Sequence, residues 1–254
     1  MSTTIADTLF EAQTAGRAVP MFADLADVAA AYAVQGELLD RYRAAGQRLV
    51  GWKAGLTSKA KMQQMGVDEP TIGFLTDAMA VPEQTTVTVA DLVHPRVECE
   101  VAFVLGRDLP ADGCTVDDVV AATAFVVPAI EIIDSRYENF SFDLPNVIAD
   151  NSSSSRFVLG GRGVKLDDLR DRTTLGVAIL RNGHVETTGA SAAVLGDPAA
   201  GVATVATIAG GLGHRLTAGQ VVLSGGITAA IAVDPGDNVE ARFQTLGTLG
   251  VRFE

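Results

Sequence analysis

The chain has 254 residues, 48% of them hydrophobic, with 31 acidic against 19 basic side chains and a formal net charge of −12. That is enough for one large domain, or a small one joined to a larger, with a core that needs no staple. The acidic balance argues against a nucleic-acid partner, which would need clustered Lys and Arg, and it means that an anionic substrate must be met by a metal ion or a placed lysine.

The N-terminal stretch MSTTIADTLFEAQ has neither the basic start nor the cleavage pattern of a signal peptide. No apolar run approaches the ~20 residues that span a bilayer, so no membrane partner is expected and the cytoplasm is the default location. In residues 25–45, LADVAAAYAVQGELLDRYRAA, apolar positions recur at three- and four-residue steps and Gly46 follows as a stop signal, which predicts a helix. Beyond it come short β-like runs separated by Gly, Pro and Asp: RLVGWKAGL, VECEVAFVLG, FVVPAIEII, RFVLGG, TLGVAILRNG, QVVLSGGI and VEARFQTLGTLGVRF, with turns near Val81. Helices interrupt them twice. TVDD at residues 115–118 has the form of a capping box opening VVAATAF, and residues 199–212 read as a small-residue helix ending in glycine. Asn182-Gly183 signals a tight hairpin and PGDN at residues 235–238 another turn, while the serine run at 152–155 reads as a short polar loop. The expectation is an α+β chain, mostly sheet, with residues 1–50 a helical region and 51–254 a β-rich domain.

Two runs carry acids where a strand should be apolar. In HPRVECEVAF, Glu98 and Glu100 are two residues apart, so a strand would set them side by side on one face, opposite Val97, Cys99 and Val101. In VVPAIEIIDSRY, Glu131 sits inside an otherwise buried-looking strand, where an ionised carboxylate must be paired, protonated or bound to a cation. A solvated sheet face explains the first pair, and a partner such as Arg96 or Arg136 explains Glu131. A hard divalent ion, Mg²⁺ or Mn²⁺, explains all three, because such ions take oxygen ligands and keep water for a substrate to displace. Lys53, between Gly51 and Gly55 in GWKAGLTS, is either a strand lysine with its amine in water or a side chain entering a site. Asp77 in GFLTDAM reads as a turn or helix cap.

HPRVECEVAFVLGRDLP, PAIEIIDSR and IADNSSSSRFVLGG together resemble the 2-hydroxypentadienoate hydratase and 4-oxalocrotonate decarboxylase group of the fumarylacetoacetate hydrolase superfamily. The likeness runs from GWKAGLTSKAKMQQMGVDEPTIGFLTD to the final LGTLGVRF. It implies a mixed, largely antiparallel β-rich domain after the helical part, with Glu98, Glu100 and Glu131 as ligands of one Mg²⁺ or Mn²⁺. It also implies Lys53 in the active site and Asp77 as a second catalytic candidate. Residues 134–144 (DSRYENFSFDL) and 224–230 (SGGITAA) are similar to the decarboxylase branch, which suggests Arg136 and Thr228 as substrate-binding residues.

The implied reaction is loss of CO₂ from 2-oxohex-3-enedioate, a 2-oxo dicarboxylic acid, in a meta-cleavage pathway. A cation chelated by the oxo-acid end acts where enolate charge develops, and Lys53 adds positive charge or a proton. A hydratase acting on 2-hydroxypenta-2,4-dienoate would share all but the far end of the pocket. A non-catalytic assembly subunit is the third reading, against which Glu98, Glu100, Glu131 and Lys53 argue, since a structural protein has no reason to hold uncompensated acids inside strands. The resemblance further implies a homo-oligomer, with a hydratase as possible partner.

The remaining motifs are weak. GGRG (160–163) and GGLG (210–213) lack the lysine and Ser/Thr of a nucleotide loop and read as turns or helix ends, and Ser224 in LSGG is not a GxSxG nucleophile. His94, His184 and His214 show no metal spacing, His184 being placed at an exposed hairpin. Cys99 and Cys114 lack CxxC spacing and are expected as reduced, buried thiols.

Overall fold

The structure is a computed structural model that describes residues 3–58, 62, 69–169 and 171–254. Of the stretch GWKAGLTSKAKMQQMGVDEPTIGFLTD, residues 59–61 and 63–68 therefore lie outside the described residues.

Two helices open the chain. In α1 (Ile5–Ala15) the hydroxyl of Thr4 accepts from the Asp7 N–H while Asp7 reaches back to Thr4, and Gly16 ends the helix at φ 56°. Helix α2 (Val28–Ala44) starts at the cap Asp27, three residues inside the predicted run, because that carboxylate takes the Ala30 N–H. Its buried positions Ala31, Gln35, Leu38, Leu39 and Tyr42 keep the three- and four-residue step that the sequence shows.

The strands follow as β1 (Leu49–Gly55), β2 (Thr71–Thr76), β3 (Ala80–Val81), β4 (Thr86–Val87), β5 (Arg96–Leu105), β6 (Thr123–Ile133), β7 (Ser154–Leu159), β8 (Gly176–Arg181), β9 (His184–Ala190), β10 (Val221–Leu223), β11 (Ile231–Ala232), β12 (Asn238–Phe243) and β13 (Gly247–Phe253). The larger sheet runs β2-β1-β10-β5-β6-β7-β3 with β11 also on β5, and the smaller runs β4-β13-β12-β8-β9. Among the described residues only β1 with β10, β3 with β7 and β4 with β13 pair in parallel. The expected mixed, largely antiparallel arrangement is what the chain forms.

The α-helices α3 (Val116–Ala122), α4 (Leu144–Ala149) and α5 (Pro198–Gly211) lie among the strands. The capping box at Thr115 and Asp118 is formed, but the helix stops at Ala122 and the predicted TAF continuation opens β6 instead. Strand pairing with β5 wins there over helical propensity. Helix takes about as large a share of the chain as strand, so the expectation of a mostly-sheet chain is corrected. Its main omission was α4, whose start is set by the Asp143 cap and Pro145. The stretch of residues 191–211 is long and apolar enough to cross a membrane by length and composition alone, although its α-helix begins only at Pro198, after the Asp197 cap. Its apolar side chains are instead spent on the core: Val202, Val205, Ala206 and Ala209 of α5 are all buried.

One apolar core runs from the first two helices into the sheet, with Leu9 and Leu38 in the same cluster as Phe74 and Phe103. Polar groups stitch this junction, where strand β2 forms the sheet margin. Gln35 donates from Nε2 to the carbonyls of Ile72 (2.9 Å) and Ile148 (2.7 Å), and the Tyr32 hydroxyl accepts the Ile72 N–H at 3.3 Å. Asn151 pairs with Phe74 as a strand would: Oδ1 accepts its N–H at 2.7 Å and Nδ2 donates to its carbonyl at 3.0 Å.

Candidate active site and metal centre

The register of the larger sheet decides which acids meet. Glu98 and Glu100 share one face of β5 by alternation, and Glu131 of β6 lies directly opposite Glu98. Across the other edge, Ala102 of β5 pairs with Leu223 of β10, and Leu223 with Lys53 of β1, which puts Lys53 on that same face. Gly51 allows the approach of β1 to β10, since a Cβ there would lie 1.9 Å from the Val221 carbonyl oxygen. Gly73, paired with Lys53, leaves room for its stem: an added Cβ would stand 3.2 Å from Lys53 Cε.

The acids converge. One carboxylate oxygen from each of Glu98, Glu100 and Glu131 lies within 4.8 Å of the others, and the residues are 5%, 0% and 1% exposed. That rules out a solvated sheet face for the pair on β5. The partner of Glu131 is neither Arg96 nor Arg136 but Lys53, whose buried Nζ is 3.3 Å from Oε1. Glu100 Oε2 accepts the Gly225 N–H at 2.7 Å, while its Oε1 has no hydrogen-bond partner among the described residues. Burial, then repulsion from Glu131 and Glu98, pushes the Glu100 carboxyl well above its ordinary range, against the pull of Lys53 and the Gly225 N–H. Burial also raises Glu131, opposed first by Lys53. Among the described residues three buried acids converge with Lys53 beside Glu131, and that arrangement matches the donor set of a hard dication.

The loop between β10 and β11 crosses above this face. The Ser224 and Ile227 N–H groups donate to the Val101 and Cys99 carbonyls, so residues 224–230 run along β5 like a broken strand and bring Gly225 to Glu100. A cavity of about 550 Å³ opens beside the cluster. Lys53 and Glu98 line it, with Thr57, Arg96, Phe140, Ser152 and Gly226 among its other walls.

Several sequence expectations need correction. The serine run is no exposed loop: Ser152 through Ser155 are buried, and Asn151, Ser152 and Ser153 turn through φ values of 52°, 49° and 57° to bring Ser152 and Ser153 to the cavity. Arg136, expected at the substrate, does not line the cavity. It is buried away from the cavity wall, with its guanidinium donating to Asp150 Oδ1, the Asp150 carbonyl, Gln13 Oε1 (2.7 Å), the Asp134 carbonyl (2.6 Å) and the Ser154 carbonyl (3.0 Å). Thr228 does not line the cavity either, its Oγ1 accepting the Cys99 N–H at 3.3 Å.

Asp77 follows the far end of β2 from Thr71, which lines the cavity, so six strand steps of ~3.3 Å put it about 20 Å away. There it accepts the Arg48 N–H at 2.9 Å and pairs with Arg48 Nε at 2.8 Å, which hold its carboxyl below the usual range. Both cysteines are free, with Cys99 buried and Cys114 only partly so, and His184 is exposed. Arg96, which the sequence offers as a partner for Glu131, instead lines the cavity. Its place two residues before Glu98 already put it on the face of the acids.

Residues 48–254 match the family described as fumarylacetoacetate (FAA) hydrolase C-terminal. A 4-oxalocrotonate decarboxylase of Pseudomonas putida is 48% identical over 223 residues, which cover 88% of this chain and 84% of that protein. The 2-keto-4-pentenoate hydratase 1 of Dechloromonas aromatica (strain RCB) is 40% identical over 257 residues, covering 100% of this chain and 97% of the relative. The solved structure of 4-oxalocrotonate decarboxylase from Pseudomonas putida G7, complexed with magnesium and adipate, is similar at a TM-score of 0.95 and 44% identity, covering 98% of this chain and 95% of that one. The chain, with its buried acidic trio, belongs to the fumarylacetoacetate hydrolase family.

Proposed function

We propose that the protein is a divalent-metal-dependent decarboxylase that converts 2-oxohex-3-enedioate to 2-hydroxypenta-2,4-dienoate and CO₂ in meta-cleavage catabolism of aromatic compounds. The convergence of Glu98, Glu100 and Glu131 with Lys53 beside one cavity carries this reading. Identity of 48% to a decarboxylase of that name supports it, as does the magnesium and adipate complex of a similar protein, adipate being a saturated six-carbon diacid.

Glu98, Glu100 and Glu131 would hold the ion. When bound, it supplies Lewis acidity at the C1 carboxylate and C2 carbonyl, where negative charge develops. Breaking of the C5–C6 bond releases CO₂, its electrons become the C4–C5 double bond, and the C3–C4 pair shifts to C2–C3. Charge arrives on the C2 oxygen, and Lys53 gives that oxygen one proton, which completes the dienol. Leu56, Ile133, Phe142 and Val147 provide apolar wall around the carbon chain, a setting that favours dispersal of charge.

A hydratase reading is favoured by one observation, the alignment of a 2-keto-4-pentenoate hydratase along the whole chain. Supplying the diacid with Mg²⁺ and following CO₂ separates the two. Absence of gas, with hydration of the pentadienoate to 4-hydroxy-2-oxopentanoate, establishes the hydratase. Calorimetry that finds no divalent-ion binding removes both readings and leaves an assembly role.

A further inference from the structure

We infer that Arg96 is the residue that selects a dicarboxylic acid, by gripping the carboxylate remote from the oxo-acid end. The inference rests on the decarboxylase reading and adds to it a specificity determinant.

Among the described residues that line the cavity, Lys53 and Arg96 are the only Lys or Arg. Lys53 is committed to Glu131. Arg96 is half-buried, and among the described residues its guanidinium has no carboxylate in salt-bridge reach, in a chain with 31 acids. It lies over a ring: Cζ is 4.2 Å from the centroid of Phe140. A cation–π contact of this kind holds the guanidinium in place without using its N–H donors, which stay available to an anion.

The shelf under Arg96 is built for that purpose from the segment 134–144. Asn139 and Phe140 adopt φ of 59° and 53° in the turn Glu138–Phe140, and the Phe140 ring packs on His94 at 5.4 Å and Phe142 at 5.6 Å. Phe140 is thus a positioning residue for the arginine.

Distance then decides what fits. Arg96 and Glu98 share one face of β5 two residues apart, a step of ~6.7 Å. The carboxyl carbons of a six-carbon diacid are separated by five bonds of ~1.5 Å in zigzag, about 6 Å. A ligand whose oxo acid lies at Glu98 therefore reaches Arg96 with its second carboxylate. A five-carbon monoacid presents only hydrocarbon there. A fixed distal carboxylate also aligns the C5–C6 bond with the conjugated system. Charge leaves that carboxylate as CO₂ forms, so the grip serves binding more than the chemical step, and its loss should raise KM more than it lowers kcat.

The test uses the magnesium-loaded protein and two ligands of equal carbon count, 2-oxohexanedioate and 2-oxohexanoate, titrated by calorimetry. The parent should prefer the diacid by about tenfold to a hundredfold, the range of a charged hydrogen-bonded pair. Arg96→Met should abolish that preference with Mg²⁺ affinity unchanged, and Arg96→Lys should keep part of it. Phe140→Leu, which removes no charge, should reduce it as well. An intact preference in Arg96→Met overturns the assignment, and so does an equal loss for both ligands. Equal binding of the two by the parent overturns the diacid reading itself, whatever the variants do.

Discussion

Replacing Arg136 with Met should destabilise the protein severely without a specific effect on substrate. The guanidinium donates to five acceptors from four residues, and of the bonds from Arg136 to Asp150 the backbone N–H bond to Oδ2 at 3.1 Å is the one that survives its removal. Asp150 is 0% exposed, so its carboxylate is left buried without a counter-charge. Removing one partner of a buried ion pair costs about 3–5 kcal/mol. In a chain of this size each kcal/mol lowers Tm by ~2–4 °C, so the fall should be about 6–20 °C. Thermal unfolding measures it directly. The double variant Arg136→Met/Asp150→Leu should recover part of the loss, because it exchanges a buried ion pair for apolar packing. A single variant that melts within about 2 °C of the parent while KM rises would refute this reasoning and return Arg136 to the substrate.

Three further outcomes are expected. Glu131→Gln should weaken Mg²⁺ binding by at least about tenfold in calorimetry, and unchanged affinity would take Glu131 out of the ligand set. Without metal, Glu100 and Glu131 have carboxyls raised above their unfolded values, so the stability they contribute is complete below the ordinary carboxylate range and is lost as pH rises through the raised values. The Tm of the metal-free protein should therefore fall from acid pH toward neutrality, and Mg²⁺ should restore it increasingly at the higher pH, where it competes with fewer protons; a flat profile contradicts this. Asp77→Asn should leave kcat and KM within about twofold, as its carboxylate is engaged by Arg48 at the surface, whereas a large drop in kcat would make Asp77 catalytic after all.

The site was legible where alternation alone decides it. Glu98 and Glu100 had to be neighbours on any strand, and Glu131 in an apolar run had to be compensated. What the residues alone left open was the compensating group, because the partner depends on register: Lys53 reaches Glu131 only through the pairing of β1 with β10 and of β10 with β5. Arg136 and Thr228 stand off the cavity for a shared reason. Each stands in a segment that borders the site, yet each is turned into the protein to satisfy backbone or an acid, which no local pattern records. The serine run failed differently, since three successive positive φ values bury a polar sequence that would ordinarily be solvated.

The margin of the large sheet at β2 has a consequence for the molecule in a crowded solution. An open row of N–H and C=O groups invites another chain to add a strand and seed association. Along β2 those positions are already taken by amides and hydroxyls of Tyr32, Gln35 and Asn151 and by the Ser152 hydroxyl, which donates to the Ile72 carbonyl at 2.9 Å. The template is filled from within the chain, so an intruding peptide has no ladder to join. Since Ser152 also borders the cavity, a substitution that loosened this seal would expose the sheet to self-association and disturb the pocket together.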